Sequence, residues 1–216
     1  MNRKKENVIS LLGLFLFCIA TISAQNATSI LDKAAAAYEN SNGLTADFAM
    51  QTRSDIQQVS ESFSGTIDIK GDKFVLKTPD MVTWFDGTTQ WAYLERNEEV
   101  NVTTPGGDEL QMVNPALLLR SYKKGYTAAY KGESTAPNGK AAFDIELTPK
   151  KKSDITKVSL QIEKFSGLPA SISVSTKNGI NTTVRINKVK MNVNQPDSYF
   201  VFYTKDYPDA EIVDLR

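Results

Sequence analysis

Apolar and polar residues alternate with a period of two through most of the chain. The apolar residues between Leu44 and Met50 fall on alternate positions, and a longer alternation from residue 59 to 69 sets Phe63 and Ile67 opposite serine and threonine residues. Such alternation is typical of β-strands with one buried face. Further strands are predicted at residues 73–77, 81–85, 89–95, 100–104, 141–148, 157–163, 170–176, 182–191 and 200–203. About ten strands exceed what one flat sheet usually holds, which favours a closed or half-closed antiparallel barrel.

Helical periodicity is confined to two segments. Residues 26–40 place apolar side chains at helical spacing and end at Asn42-Gly43, which predicts an amphipathic N-terminal helix. A second, short helix is predicted at residues 116–122, with Pro115 at its first turn. The residues around it, from Leu110 to Leu119, are unusually apolar for a connection. This segment either plugs one end of the barrel as ordinary core or forms a lid over a cavity.

The N-terminal segment has the three parts of a secretory signal peptide. Arg3 begins a short basic stretch, residues 8–22 form an apolar run, and Ser23-Ala24 supply small residues for cleavage. We therefore expect a signal peptide at residues 1–24 and a single soluble domain at residues 25–216. Cys18 lies inside the apolar run and follows Phe17, so we expect cleavage and not lipid anchoring.

The composition excludes most of the common catalytic mechanisms. The chain has no histidine, and its one cysteine lies in the signal peptide, which excludes Ser-His and Cys-His nucleophiles and the common zinc sites. Four acidic residues are expected on solvated strand faces and not as a catalytic pair: Glu61, Asp68, Asp144 and Glu163. Lys150, Lys151 and Lys152 predict a charged turn between strands. We expect no enzymatic activity, catalytic residue, metal or cofactor.

Charge argues against nucleic acid as a partner. Removing the signal peptide leaves 22 positive and 24 negative side chains from the 25 of each sign in the whole chain. Neutralising phosphates requires a surplus of basic residues, which this domain lacks. What remains distinctive is a set of large apolar side chains on the strands, which either fill the barrel or line a cavity for an apolar ligand.

A series of short segments, in order, resembles the LolA family of periplasmic outer-membrane lipoprotein carriers over essentially all of residues 25–216. The matching segments are LTADFAMQT, FSGTIDIK, FDGTTQWAYL, VNPALLLRSY, FDIELTPK and YFVFYTKD. The resemblance implies a mainly β fold, an unclosed antiparallel barrel covered by an N-terminal helix and a short lid helix. It also implies an apolar cavity that shields the acyl chains of lipoproteins during transfer from the inner to the outer membrane.

The resemblance further implies where cargo would bind and which partners would act. The implied cargo-binding residues are Phe48, Phe63, Ile67, Phe74, Trp84, Trp91, Tyr93, Met112, Leu117 and Leu118. The implied partners are acylated lipoproteins or other lipid cargo, an inner-membrane release complex and an outer-membrane acceptor, and we expect a monomer in the Gram-negative periplasm. Gly71-Asp72 stands where the family often has an arginine before a proline, which is associated with lid gating.

Two other interpretations remain open. A protein of the same fold could carry or sense another lipid or a hydrophobic small molecule, because one fold hosts different functions. A structural or adhesive barrel with a filled core would use the same apolar residues without any ligand.

Overall fold

Twelve strands of the described part of the chain form one continuous sheet that does not close on itself. The computed structural model describes residues 26–216, except the side chains of Asp108, Gln111 and Met112; the predicted signal peptide and Cys18 lie outside the described residues. The strands are β1 (Leu44–Ser54), β2 (Val59–Lys70), β3 (Lys73–Lys77), β4 (Met81–Phe85), β5 (Gln90–Leu94), β6 (Glu99–Thr103), β7 (Tyr126–Thr135), β8 (Ala141–Pro149), β9 (Ile155–Glu163), β10 (Pro169–Thr176), β11 (Ile180–Met191) and β12 (Glu211–Asp214). The helices are α1 (26–39), α2 (Gly107–Val113) and α3 (Pro115–Gly125).

The strand order places the long β1–β2 hairpin in the middle of the sheet. It runs β12-β6-β5-β4-β3-β2-β1-β11-β10-β9-β8-β7, and neighbouring strands are antiparallel except for the parallel pair β12 and β6. The end strands β12 and β7 do not pair with each other. The expected mainly β, unclosed sheet with covering helices is therefore confirmed, and β12 makes it mixed.

Two of the helices cover one face of the sheet, which we call the inner face. Leu31 on α1 and Leu118 on α3 pack in one apolar cluster with Ile145 and Leu160 of β8 and β9. The apolar stripe of each helix is thus buried against strands, which supplies most of the stability of short helices. Within residues 26–216 none of the helices is both long and apolar enough to span a lipid bilayer.

Asn114 sets the start of α3. Its side-chain Oδ1 accepts a hydrogen bond from the backbone N–H of Ala116 at 3.0 Å, and Pro115 occupies the first helical position. Both features are typical of helix N-termini, where the first backbone N–H groups lack helical partners. The helix runs beyond the predicted residues 116–122, and α2, β7 and β12 are elements that the sequence patterns did not predict.

The C-terminal segment crosses the opposite face of the sheet, which we call the outer face. The predicted strand at residues 200–203 is wrong: a 3-10 helix spans Asp197–Phe200, and the ring of Phe202 packs on Trp84 with centroids 5.5 Å apart. The alternate aromatic residues Phe200 and Phe202 are buried against the sheet, but their backbone does not join it. Period-two patterning shows which residues face the protein but not whether the backbone joins a sheet.

The outer face also buries two acidic residues that were expected to be solvated. The Asp68 carboxylate accepts hydrogen bonds from the Tyr199 hydroxyl at 2.7 Å and from Gln195 at 3.1 Å, both in the C-terminal segment. Near the β7–β8 turn, the Glu163 carboxylate accepts from Asn138 at 2.6 Å and pairs with Lys140 at 3.0 Å. The expectation was wrong for both because long-range segments cover strand positions that alternation alone marks as polar.

Candidate functional site

A cavity of about 250 Å³ lies on the inner face between the β1–β2 hairpin, β10, β11 and the helices. The described side chains of its walls are apolar apart from the hydroxyl groups of Tyr38 and Thr182. For comparison, apolar cavities of about 150 Å³ stay dry and bind benzene. The cavity is therefore large enough for part of an acyl chain or for a small hydrophobic molecule.

One wall comes from the β1–β2 hairpin and depends on its register. Phe48 lies opposite Gly65 across the hairpin, and Met50 lies opposite Phe63. A Cβ atom at Gly65 would come within 2.8 Å of the Phe48 ring and 2.3 Å of the Lys77 carbonyl oxygen. Glycine at this position thus leaves room for the Phe48 ring, whose centroid is 6.2 Å from that of Phe63.

The other wall and the roof come from elements distant in sequence. β11 pairs with β1 so that Ile186 lies opposite Phe48 and Val184 opposite Met50, and both β11 side chains line the cavity. Tyr38 near the end of α1 contributes to the roof. Burial raises the pKa of the Tyr38 hydroxyl, which therefore stays neutral at physiological pH. Among the described side chains, none that lines this cavity is charged.

The cavity opens toward the tip of the β1–β2 hairpin. At the opposite end Leu44 is only 2% exposed, whereas Phe63, nearer the tip, is 41% exposed. Both residues line the same cavity. A ligand that exceeds the enclosed volume can therefore extend past Phe63 toward solvent.

The helix α3 is attached to the β2–β3 turn by polar contacts. The Arg120 guanidinium pairs with the Asp72 carboxylate, and Asn114 Nδ2 donates a hydrogen bond to the Gly71 carbonyl oxygen at 3.3 Å. The turn thus supplies the acceptors, and the α3 end supplies the donors.

The sequence-predicted cargo residues divide into three groups. Phe48, Phe63 and Ile67 line the cavity. Phe74 is fully buried against Phe85 in the adjoining cluster and does not line the cavity. The third group is Trp84, Trp91 and Tyr93, which lie on the outer face with Phe202 and Tyr207.

Trp84, Trp91 and Tyr93 lie away from the cavity because strand side chains alternate between the two faces of the sheet. Trp84 directly precedes Phe85, and adjacent residues of a strand point to opposite faces. The pattern cannot show which of two apolar faces carries the cavity.

The three predicted lid residues do not form one group either. Leu118 packs in the core between α1 and the sheet, and Leu117 is half-buried outside the cavity wall. The side chain of Met112 lies outside the described part of the chain. The adjacent helix junction reaches the cavity through Val113 and Pro115 instead.

Several lining residues were missed by the sequence reasoning. Met50 shares the period-two face of Phe48, so that signal could have identified it. Val184 and Ile186 carry a similar alternation, but only the pairing of β11 with β1 places them here. Among the described residues, no group of three or more acidic, cysteine or histidine side chains could hold a metal ion.

A curated archaeal protein is similar to this chain in sequence. The chain is 24% identical to an uncharacterized protein of Methanocaldococcus jannaschii over 198 residues, which cover 89% of this chain but 57% of that protein. The chain thus spans little more than half the length of this curated relative.

Two solved structures align with most of this chain. An uncharacterized conserved protein from Thermus thermophilus superposes with a TM-score of 0.59 at 16% identity, covering 88% of this chain and 99% of that one. A LolA superfamily protein from Nitrosomonas europaea gives a TM-score of 0.45 at 13% identity, with 82% and 97% covered.

The family whose model matches the chain is described as "Outer membrane lipoprotein carrier protein LolA", and the match runs over residues 17–178. It covers well over half of the chain and includes the β1–β2 hairpin, α3 and most of the cavity wall. The chain therefore belongs to the LolA family of outer membrane lipoprotein carrier proteins.

Proposed function

We propose that this protein is a periplasmic carrier that shields the acyl chains of lipoproteins during transfer from the inner to the outer membrane. The observation that carries the proposal is the apolar cavity on the inner face, which is open past Phe63 and has no charged side chain among the described residues of its wall. Membership of the carrier family supports the same assignment.

The energetics of acyl chains explain why such a cavity suits a carrier. Burying one methylene group is worth about 0.8 kcal/mol, so exposing a long acyl chain to water costs on the order of 10 kcal/mol. Apolar walls such as those of Ile186 and Met50 recover part of that free energy without holding the cargo covalently. Binding that depends on apolar contacts can be reversed when a membrane offers an equally apolar environment.

The size of the cavity favours a second candidate, a carrier or sensor of a lipid with one chain or of a hydrophobic small molecule. The enclosed volume of about 250 Å³ is below the usual range of roughly 300–1,000 Å³ for ligand pockets. A lipoprotein with several acyl chains would exceed this volume, and part of the chains would extend past Phe63. An open cavity favours either carrier over a structural barrel with a filled core.

The proposal includes location and partners. The signal-peptide features of residues 1–24 support export to the Gram-negative periplasm, and transfer would need an inner-membrane release complex and an outer-membrane acceptor.

Two experiments together test this function. Mass spectrometry of material copurified with the protein from native periplasm should identify lipopeptides; free lipids or small hydrophobic molecules would favour the second candidate. Depletion of the protein in its native host should leave lipoproteins at the inner membrane, and normal sorting would contradict the carrier role.

A further inference from the structure

Lysines gather at the end of the sheet toward which the cavity opens. They come from the C-terminal end of α3, the β8–β9 turn, the start of β9 and the β10–β11 turn. We call this set the lysine rim: Lys123, Lys124, Lys150, Lys151, Lys152, Lys157 and Lys177.

Backbone hydrogen bonds hold the members of the lysine rim together. The Lys150 N–H donates to the Gly125 carbonyl oxygen at 2.9 Å, which joins the β8–β9 turn to the end of α3. The Lys177 N–H donates to the Asp154 carbonyl oxygen at 2.9 Å, which joins the β10–β11 turn to the β8–β9 turn. The rim is therefore one continuous surface.

The lysine rim has a surplus of positive charge, although Asp154 lies in the same β8–β9 turn. Lys123 pairs with Asp32 at 2.8 Å, and within the described residues no other rim lysine has an acidic partner within 4.0 Å. All seven rim lysines are exposed to solvent. Because the whole chain has 25 basic and 25 acidic residues, this surplus is local and must be balanced elsewhere on the molecule.

An exposed apolar tip adjoins the lysine rim. Ile56 is 74% exposed and Val59 is 51% exposed, and both lie at the end of the β1–β2 hairpin. The Asp55 N–H donates to the Gly179 carbonyl oxygen at 2.9 Å, and Ile56 Cγ1 lies 3.2 Å from where a Cβ of Gly179 would be. The tip is thus in contact with the turn that carries Lys177.

This combination matches the chemistry of an anionic lipid surface. Lysine ammonium groups are attracted to lipid phosphates, and apolar side chains insert at the boundary between headgroups and acyl chains. Neighbouring strands are about 4.8 Å apart, so the four spacings from β1 to β8 span about 20 Å, enough for several headgroups. Protein–protein interfaces, in contrast, are depleted in lysine.

We propose that the lysine rim and the tip residues Ile56 and Val59 dock the protein on a bilayer that contains anionic phospholipid. Docking in this orientation turns the open end of the cavity, at Phe63, toward the membrane from which cargo leaves or into which it enters. The inference rests on the proposed carrier function, because only a carrier of membrane lipids gains from that orientation.

Vesicle binding tests the proposal directly. The domain of residues 25–216, which contains the whole described fold, is sedimented with vesicles of phosphatidylcholine, with and without phosphatidylglycerol, at low salt. We expect binding that requires phosphatidylglycerol and weakens as salt rises, since screening shortens the reach of exposed charges. The double variant Lys151→Gln/Lys152→Gln should lower the vesicle partition coefficient roughly tenfold or more.

Matched variants separate the effect of the lysine rim on vesicle binding from the effect of total charge. Lys190→Gln/Lys205→Gln removes the same charge from exposed sites outside the rim and should leave partition unchanged within about twofold. Ile56→Ser/Val59→Ser should weaken partition with the rim intact. Equal binding to neutral vesicles, or equal loss in both lysine pairs, would overturn the proposal.

Binding of a fluorescent fatty acid in the absence of vesicles is measured on the same variants. Normal probe binding by a variant that no longer partitions to vesicles supports docking as a property separate from the cavity. If the unaltered domain binds the probe normally but does not partition to vesicles, docking is refuted and the carrier function stands. If the unaltered domain fails to bind the probe, the result counts against the carrier function itself.

Discussion

Arg120 on α3 pairs with Asp72 in the β2–β3 turn, joining the helix to the end of the hairpin that forms one wall of the cavity. The side chains are 35% and 55% exposed, so water screens the pair and its contribution to folding stability is about 1 kcal/mol or less. The pair links α3 to the turn that follows β2.

The first prediction concerns this pair. Asp72→Asn or Arg120→Gln should lower the melting temperature by only a few degrees, because about 1 kcal/mol shifts a domain of this size by roughly 2–4 °C. Hydrogen exchange of α3 should accelerate more than that of β8, and the fatty-acid probe should dissociate faster. A double variant no worse than either single variant would confirm coupling; additive losses would contradict it.

The second prediction concerns the cavity wall. Met50→Glu places a carboxylate among apolar side chains, and burying an unpaired charge is costly, so probe affinity should fall at least tenfold. The matched control is Ala49→Glu, on the outer face one residue away, where β1 alternation turns the new carboxylate from the cavity. Fluorescence titration compares them, and similar losses in both would argue against a ligand in this cavity.

The third prediction distinguishes the two faces of the sheet. Trp84→Phe should leave probe affinity unchanged within about twofold, because Trp84 packs on Phe202 and Tyr207 on the outer face. Phe48→Leu, in the cavity wall, should change it severalfold while keeping an apolar side chain. Both variants are checked for folding by circular dichroism and then titrated with the probe. A larger loss of affinity in Trp84→Phe than in Phe48→Leu would place the cargo outside this cavity.

The fourth prediction concerns packing at Gly65. Gly65→Ala should destabilise the fold by about 1–3 kcal/mol, because its Cβ would lie 2.3 Å from the Lys77 carbonyl oxygen and must displace the Phe48 ring. Gly106→Ala is the control, since no atom of the described residues lies within 4 Å of a Cβ there and its φ of −74° suits alanine. Urea denaturation measures both, and equal midpoints would contradict the close packing.

The fifth prediction is a dependence of stability on acid. Burial alone would raise the pKa of Glu163, but hydrogen bonds from Ser166, Lys140 and Asn138 together hold it below its ordinary value of 4.5. A carboxylate whose pKa is lower in the folded state than in the unfolded state stabilises the fold at pH values above its unfolded-state pKa. This contribution is lost as the pH falls through the folded-state pKa.

Glu163→Gln should therefore lower stability near neutral pH and reduce the loss of stability in acid. Denaturant unfolding measured between pH 7 and about pH 3 gives both quantities. The control is Glu133→Gln, which removes an exposed carboxylate paired with Lys164 on the neighbouring surface. An unchanged acid dependence in Glu163→Gln would refute the role of this network.

Much of the sheet was predictable because alternation directly reports burial on one face. The segments at residues 73–77 and 81–85 match β3 and β4. β7 was missed because it is an edge strand with half-buried and exposed positions and little apolar contrast. β12 was missed because four residues are too few to show a period.

The sequence by itself determined most of the strands, two of the helices and the family, because strand alternation, helix capping at Asn114-Pro115 and the order of short segments are all local. It also identified Phe48 and Phe63 as large apolar residues on neighbouring strands. Only the tertiary structure decided that these two line a cavity whereas Trp84 does not. The reason is that an apolar residue looks the same whether it meets a helix, a crossing C-terminal segment or an open space, and only the packing of distant segments chooses among them.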